Sequence, residues 1–294
     1  MKKKEKQWAT ETLLLMTAGA SVGTALLLSL VKFFAWQTTD SVSMLASFFD
    51  SLLDFLASGI NLVAVRYALS PPDNRHRFGH GKAESLAGLG QSLFLLGSSF
   101  FLLWSAEQRF FSPIPIEKSS IGIGVILFSL MVTILLLYFQ RRTIAQTHSV
   151  AIRADSLHYI SDILSNIAVL CALILASFGW SFFDPFFAAI IAFYLFGSAF
   201  HIFRDSIQAL LDEESSEETR RNITRIIKSH PNVLGMHDLR TRQSGQTLFI
   251  QFHIELDANI SFKEAHAIAG RVKYNIQQEF PHSDILVHQD PERT

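Results

Sequence analysis

The chain has 294 residues, of which 49% are hydrophobic and 17% are charged, and its formal net charge is −1. An ordinary soluble domain carries about 25% charged residues, so this composition favours a membrane protein with a soluble appendage over a single soluble fold. The sequence has no basic patch with interleaved aromatic residues, which argues against nucleic acid as a partner. Its single cysteine, Cys171, excludes an internal disulfide.

Six segments are long and apolar enough to cross a lipid bilayer, which takes about 20 residues of helix. They are residues 13–36, 41–69, 86–110, 121–139, 154–177 and 183–203. We therefore predict that residues 1–208 form an all-α, six-helix transmembrane domain.

Lys and Arg are concentrated on alternate connections between these segments. They occupy the N-terminus and the second and fourth connections, as Lys2, Lys3, Lys4, Lys6, Arg66, Arg75, Arg77, Lys82, Arg141, Arg142 and Arg153. The connections on the other side carry only Arg109 and Lys118. Because positive loops stay on the cytoplasmic side, both termini are predicted to be cytoplasmic.

Residues 209–294 have a different pattern, without a spanning run. Ser215-x-x-Glu218 and Ser261-x-x-Glu264 match capping boxes that open helices. Alternating apolar residues predict strands at 236–243 and 248–256, with Gly245 in the hairpin between them, and a last strand at 284–288. The order αββαβ predicts a small cytoplasmic α+β domain.

Four potential metal ligands interrupt two of the apolar segments: Asp50, Asp54, His158 and Asp162. Each pair is spaced i, i+4, so its two side chains project from one helix face. An ionised carboxylate at mid-bilayer costs about 2.5–3.5 kcal/mol or more. Lys32 lies near a helix end and is expected to reach the interface instead of neutralising these acids. A divalent cation or protons must then compensate the charge.

Metal binding requires deprotonated carboxylates and a neutral imidazole, so metal ions and protons compete for the same atoms. This competition predicts exchange of metal for protons. An intramembrane aspartyl protease also places acids in spans, but it needs one carboxylate from each of two facing helices. Here two acids share one helix and a histidine joins the other pair, which suits metal better. A metal sensor without transport would not need the buried ligands.

Further metal-ligand residues lie outside the spans. Asp73, His76 and His80 share a short loop that an ordinary polar loop would also explain. The tail holds more than half of the 11 histidines: His230, His237, His253, His266, His282 and His288. His253 lies on the polar face of its strand, and His288 and Asp290 share one face of an extended segment. These residues form either a metal site or a solvated surface.

Five stretches together resemble the cation diffusion facilitator family, over essentially the whole chain. They are Ser41–Asp54, Phe78–Ser85, Ala154–Asp162, His237–Gly245 and His288–Asp290. The resemblance implies proton-coupled efflux of divalent metal by alternating access across a bacterial inner membrane. It also implies a homodimer paired through its cytoplasmic domains and membrane helices, and a metallochaperone-like fold for the tail.

The resemblance assigns a role to each candidate residue. The transport site is implied to be Asp50, Asp54, His158 and Asp162; the loop site Asp73, His76 and His80; and the cytoplasmic binuclear, regulatory site His237, His253, His266, His288 and Asp290. Lys82 and Asp212 match an interlocking charge pair, and Leu157 matches a hydrophobic gate. Three oxygens and one nitrogen favour Zn²⁺ as cargo, but they also accept Fe²⁺, Cd²⁺, Co²⁺ or Mn²⁺.

Overall fold

The computed structural model describes residues 2–40, 42–111, 120–177 and 183–292. Six long helices come first: α1 (Lys2–Thr39), α2 (Val42–Ala68), α3 (Lys82–Phe111), α4 (Ser120–Thr147), α5 (Val150–Ser177) and α6 (Phe183–Leu210). All except α5 contain a stretch long and apolar enough to cross a membrane by length and composition. The fifth helix has 28 residues and packs among α3, α4 and α6. Together the six helices form a transmembrane domain.

The helices extend beyond the apolar segments of the sequence, because charged and polar residues continue a helix as readily as apolar ones. The fourth helix, for example, runs past Gln140 to Thr147. Ser41, at the predicted start of the second span, lies outside the described residues, as do Lys118 and residues 178–182 of the predicted short connection between the last two spans.

Small side chains allow the helices of the bundle to approach closely. Ala18, Ser21 and Ala25 are all buried along one face of α1, and small residues are typical of contacts between membrane helices. Large apolar side chains, such as those of Phe34 and Ile60, are instead exposed on the outside of the bundle. This arrangement suits a lipid environment.

The C-terminal domain has the predicted order of elements: α7 (Glu217–Lys228), β1 (Gly235–Ser244), β2 (Thr247–Leu256), α8 (Phe262–Glu279) and β3 (Ser283–Pro291). The second strand lies in the middle of the sheet, antiparallel to β1 and parallel to β3. Its apolar side chains pack against buried residues of the two helices, including Ile223, Ile227 and Ile268. The predicted αββαβ fold is confirmed.

Helix caps fix two ends of this domain. Ser261 caps α8 as predicted, with its hydroxyl accepting a hydrogen bond from the N–H of Glu264. The cap of α7 is Ser216 and not the predicted Ser215, and its hydroxyl accepts from the N–H of Thr219. The N–H of Ser215 donates to the hydroxyl of Thr241 on β1, so this residue serves the contact between α7 and the sheet.

The C-terminal domain packs against one end of the helical bundle. The tip of the β1–β2 hairpin meets the start of α3, where a methyl group on Gly81 would lie 2.4 Å from the carbonyl oxygen of Ser244. The Gln246 side chain donates a 3.0 Å hydrogen bond to the carbonyl of Thr147, just before α5. We call this end of the bundle, where α2 ends and α3 and α5 begin, the domain-facing end, and the opposite end the far end.

Candidate metal centres

Three of the four predicted intramembrane ligands, Asp54, His158 and Asp162, come together between α2 and α5, and the fourth lies in the same pocket. The Nε2 atom of His158 lies 2.6 Å from Oδ1 of Asp54 and 3.9 Å from Oδ2 of Asp162. One ligand atom from each of these three residues lies within 4.8 Å of the other two. Asp50 lines the same pocket, one helical turn before Asp54. We call these four residues the quartet.

The pocket that holds the quartet has a volume of about 290 Å³. Beyond the ligands it is lined by Ser47 of α2 and by Ser165 and Asn166 of α5. Helix α2 runs from the far end towards the domain-facing end, and α5 runs in the opposite direction. Ser47, Ser165 and Asn166 therefore all lie nearer to the far end than His158 does. The pocket therefore extends from the quartet towards the far end of the bundle.

A lysine also lines this pocket, which corrects one expectation from the sequence. The ammonium group of Lys32 does not extend to the membrane interface but donates a 2.7 Å hydrogen bond to the buried hydroxyl of Ser51. A serine on the neighbouring helix can hold the ammonium in place because it supplies an acceptor where lipid would not. The quartet thus has a positive charge in its own pocket, beside Asp50.

Leu157 is buried next to the quartet but does not line its pocket. It packs in an apolar cluster with Leu95 of α3 and Leu195 of α6. Its side chain joins the helix that carries His158 to the α3–α6 pair. Its role as a gate stays a prediction.

The loop residues between α2 and α3 also come together. The Nε2 atom of His80 lies 3.1 Å from Nδ1 of His76 and 3.4 Å from Oδ2 of Asp73. Asp73 and His76 are exposed, whereas His80 is buried. Gly79, with a φ of +84°, makes the turn that brings His80 back to its partners.

Hydrogen bonds orient the ligands of this loop. Oδ1 of Asp73 accepts from the N–H groups of His76 and Arg75, and these two bonds lower the pKa of the Asp73 carboxyl. The Nδ1 atom of His80 lies 3.3 Å from the carbonyl oxygen of Ser70. Because a carbonyl only accepts, Nδ1 carries the hydrogen there and Nε2 is left free to bind a metal ion.

A third group of potential metal ligands lies at one end of the C-terminal sheet, with one histidine from each strand. His237 of β1 pairs with His253 of β2, and His253 pairs with His288 of β3. A single carboxylate connects them: Oδ2 of Asp290 lies 2.8 Å from Nδ1 of His253 and 3.3 Å from Nε2 of His237, and Oδ1 lies 3.1 Å from Nε2 of His288. The hydrogen bond with His253 is the main cause that lowers the pKa of Asp290.

Glu255 belongs beside this group, and the sequence reasoning missed it. Its Oε1 lies 3.1 Å from Nδ1 of His237, within ion-pair distance but without the angles of a hydrogen bond. The sequence did contain a pattern that points to Glu255. It follows His253 by two residues on β2, so both side chains point from one face of the strand. Gly235 lies opposite and leaves room for the carboxylate.

His266 lies apart from the other predicted ligands of the C-terminal domain. It is exposed on α8, where its ring stacks on Phe262 with centroids 6.4 Å apart. The opposite face of that helix packs on the sheet through Val272 and Ile276. Its assignment as a ligand stays a prediction.

Lys82 and Asp212 meet across the junction of the two domains. Lys82 Nζ lies 3.0 Å from Oδ1 of Asp212, and Arg242 of β1 lies 3.1 Å from the same oxygen. Burial raises the pKa of Asp212, but the hydrogen bonds from Lys82 and Arg242 outweigh this effect and hold the pKa below its ordinary value. Lys82 and Asp212 therefore belong to a triad of charges, in which Arg242 of the C-terminal sheet is the second cation.

Comparison with known proteins covers both domains. A family model described as the cation efflux transmembrane domain matches residues 19–211, and one described as the cation efflux protein, cytoplasmic domain, matches residues 215–292. The chain is 48% identical over 276 residues to the cation-efflux pump FieF of Shewanella oneidensis, covering 94% of this chain and 93% of that protein. It is 46% identical over 285 residues to the FieF pump of Yersinia pestis, covering 97% and 93%.

A solved structure resembles the C-terminal domain. The metal-bound C-terminal domain of the CzcD transporter from Thermotoga maritima is 27% identical, covering 25% of this chain and 87% of that domain, with a TM-score of 0.25.

Proposed function

The chain belongs to the cation efflux family, also called the cation diffusion facilitator family, and from that premise we propose that it exports divalent metal ions in exchange for protons. It is a multi-pass membrane transporter and not an enzyme. The observation that carries the proposal is the convergence of Asp54, His158 and Asp162 inside the membrane domain, with Asp50 in the same pocket.

The four side chains of the quartet have the chemistry for a transport site. Three carboxylates and one imidazole can complete a tetrahedral site for a divalent cation. Each ligand must lose or lack a proton to bind the cation, so protonation on the side of release expels the metal. A site that two ions can occupy only in turn couples their movements in opposite directions.

Alternating access would open the transport site to one side of the membrane at a time. The quartet pocket extends towards the far end, which we assign to the extracytoplasmic side because the loops at the domain-facing end carry the excess of Lys and Arg. Metal would enter from the cytoplasmic, domain-facing end after the helices rearrange, and leave through this pocket. We place both termini in the cytoplasm and the protein in the bacterial inner membrane, with a membrane domain of residues 1–208 and a cytoplasmic domain of residues 209–294.

The donor set points to a borderline metal. One imidazole among three carboxylates suits Zn²⁺, and it also suits Fe²⁺ and Cd²⁺. We propose Zn²⁺ as the main cargo. The family membership and the matched ligands of the quartet support this choice over harder ions such as Mg²⁺, which prefer six oxygens.

The group around Asp290 suits a regulatory role. It lies on the surface of the C-terminal sheet, outside the membrane domain, and its ligands come from three different strands. Metal bound there would stiffen the sheet edge, and we propose that it stabilises a homodimer formed through the cytoplasmic domains. Leu234 and Leu286 are exposed on this domain and offer apolar surface to a second copy.

Metal flux into proteoliposomes under an imposed pH gradient tests the proposal. Zn²⁺ uptake should follow the gradient in the wild-type protein and fall to background in Asp54→Asn, which keeps the size of the side chain but removes its charge. Asp257→Asn makes the same chemical change at an exposed position of the C-terminal domain and should transport normally.

Two results would contradict the proposal. Equal Zn²⁺ uptake by the wild type and by Asp54→Asn would remove the quartet from the transport path. Wild-type uptake that ignores the pH gradient would remove the exchange with protons. If Zn²⁺ alone is not transported, the same assay with Fe²⁺ and Cd²⁺ separates a wrong metal from a wrong function.

A further inference from the structure

A second set of buried polar side chains lies beside the quartet and shares no residue with it. It consists of Ser21, Ser58, Gln91, Gln140, Asp155 and Tyr159, which we call the inner cluster. Helices α1 to α4 each contribute one of these residues, and α5 contributes two. Polar groups inside a membrane domain are costly unless they serve packing or function.

Asp155 is the centre of the inner cluster. Its side chain is fully buried, with 0% exposure. Oδ2 accepts a 2.8 Å hydrogen bond from the amide of Gln140, and Oδ1 accepts from Ser58 at 3.3 Å and from the amide of Gln91 at 3.4 Å. One carboxylate therefore joins α5 to three other helices at the same point.

Tyr159 and Ser21 extend these connections to α1. The hydroxyl of Tyr159 donates to the carbonyl of Ser21 at 3.0 Å and lies 3.2 Å from the hydroxyl of Ser58. The amide of Gln140 divides its two N–H bonds between Ser21, at 3.0 Å, and Asp155. The donors of the inner cluster therefore share a few acceptors, which are the carboxylate of Asp155 and the oxygens of Ser21.

The position of the inner cluster decides what it can do. Asp155 precedes His158 on α5, and Ser58 follows Asp54 on α2, so both lie on the domain-facing side of the quartet. The quartet pocket extends the other way, towards the far end. Beyond the inner cluster, Val65 and Ile152 are buried in an apolar contact that continues the closure. The inner cluster therefore lies between the quartet and the domain-facing end.

We propose that Asp155 is a positioning residue that fastens α5 to α2, α3 and α4 in the arrangement in which the quartet is open only to the far end. Metal that arrives from the domain-facing end cannot pass until these hydrogen bonds separate. The inference rests on the proposed function, because it assigns the closed side of the transport path. The strength of the inner cluster then sets how much of the protein is open to each side.

The chemistry of the side chain explains why an aspartate suits this place. A carboxylate offers acceptor sites on both oxygens and can serve three helices at once. An asparagine of the same size presents an NH₂ group to one side, where it would face the N–H or O–H donors of Ser58, Gln91 or Gln140. The exchange replaces an acceptor by a donor, so a neighbouring hydroxyl or amide must turn to meet it or lose its hydrogen bond, and the arrangement weakens.

Thiol accessibility tests the proposal without measuring transport. In a Cys171→Ser background, Val65→Cys places a reporter in the buried contact on the domain-facing side of the inner cluster. The protein in lipid nanodiscs is treated with a membrane-impermeant maleimide. Asp155→Asn should raise the labelling rate about tenfold, which is the effect of losing one buried hydrogen bond on a two-state balance.

A second variant and a matched control protect the experiment from a simple folding defect. Gln140→Leu removes the hydrogen bonds from α4 to Asp155 and to Ser21, and it should raise labelling in the same direction. Gln108→Leu makes the same glutamine-to-leucine change at an exposed position near the far end of α3, outside the quartet pocket, and should label like the parent. Calorimetric binding of Cd²⁺ should stay within about threefold of the parent value in Asp155→Asn, because no quartet ligand is changed.

The outcomes are separable. Unchanged labelling in both Asp155→Asn and Gln140→Leu would overturn the inference, and so would loss of Cd²⁺ binding in Asp155→Asn, since the residue would then act on the ligands themselves. A wild-type protein without metal flux would contradict the proposed function alone.

Discussion

One lysine side chain shares the quartet pocket with the residues that would hold the metal ion. Lys32 is anchored to Ser51, so its ammonium group stays in the pocket beside Asp50. Two cations in a pocket of low dielectric repel each other strongly. The lysine therefore compensates the acids when the site is empty and opposes the metal when it arrives.

Removing this charge should tighten metal binding. We expect Lys32→Met to lower the Kd for Cd²⁺ by about fivefold, equivalent to about 1 kcal/mol of lost repulsion. Isothermal titration of the purified transporter measures it, and Lys32→Arg, which retains the charge, should stay near the wild type. Weaker binding in Lys32→Met would show that the ammonium orders the acids more than it repels the metal.

At the scale of an element, the start of α5 determines where His158 and Asp162 lie. Glu84, buried at the beginning of α3, accepts hydrogen bonds from the Ser149 hydroxyl and from the N–H groups of Val150 and Ala151. These N–H groups belong to the first turn of α5, which has no partners for them within the helix. A side chain from another helix thus caps the helix that carries half of the quartet.

Loss of this cap should destabilise α5 at its first turn. Glu84→Ala should cost about 1–2 kcal/mol of folding free energy, the range for a lost helix cap, and should speed amide hydrogen exchange at residues 150–153. Glu84→Gln retains one acceptor oxygen and should lose less. Equal exchange rates in the wild type and Glu84→Ala would mean that the cap is not needed to hold the turn.

At the scale of the whole molecule, the two domains meet at a backbone contact that tolerates no side chain. A methyl group on Gly81 would lie 2.4 Å from the carbonyl oxygen of Ser244 and 2.8 Å from the backbone nitrogen of Gly245. Backbone atoms on both sides cannot move aside as a flexible side chain would. The β1–β2 hairpin can therefore dock only against a glycine.

Gly81→Ala should loosen the C-terminal domain from the bundle without unfolding either part. We expect faster cleavage by the glutamate-specific protease Glu-C after Glu213 and Glu214, in the segment between α6 and α7, which limited proteolysis followed on gels would detect. Gly90→Ala, on the helix that follows Gly81 but with open space around the added methyl, is the matched control. If both variants resist Glu-C as the wild type does, the hairpin contact does not hold the domains together.

The triad of Lys82, Asp212 and Arg242 adds a pH dependence to the same junction. Its hydrogen bonds lower the pKa of Asp212 in the folded protein, so its stabilisation is present above the unfolded pKa of about 4 and is lost as pH falls through the lower, folded value. The groups are partly exposed, which limits the effect to about 1 kcal/mol or less.

Thermal unfolding in detergent measures this contribution. Asp212→Asn should unfold at a lower temperature than the wild type at pH 7, and the difference should shrink as pH falls below about 4 and vanish once pH is below the lower pKa of the folded state. The double change Lys82→Gln and Arg242→Gln should remove the same pH dependence. A gap between wild type and Asp212→Asn that does not shrink as pH falls below about 4 would show that the asparagine disturbs packing instead of charge.

The sequence predicted the elements of the fold better than their ends and their buried polar contacts. Apolar runs predict spans, but a helix stops where its backbone loses partners, so α4 continues to Thr147 after its apolar run ends. The acids of the quartet, at i, i+4 spacing, could be recognised in the sequence because charged residues are rare in membrane spans. Ser58 and Gln140 gave no such signal, because serine and glutamine occur on every kind of helix face, and only the three-dimensional packing shows that they meet at Asp155.

The quartet and some of the residues that hold α5 in place lie on different helices, which has a consequence for how such a protein can evolve. All four quartet residues lie on α2 and α5, whereas Gln91 and the Leu95 and Leu195 contacts that help hold α5 in place come from α3 and α6. Substitutions on α3 and α6 can therefore alter how readily the path opens without changing a residue of the quartet. Turnover can in this way be selected or redesigned while the metal ligands stay as they are.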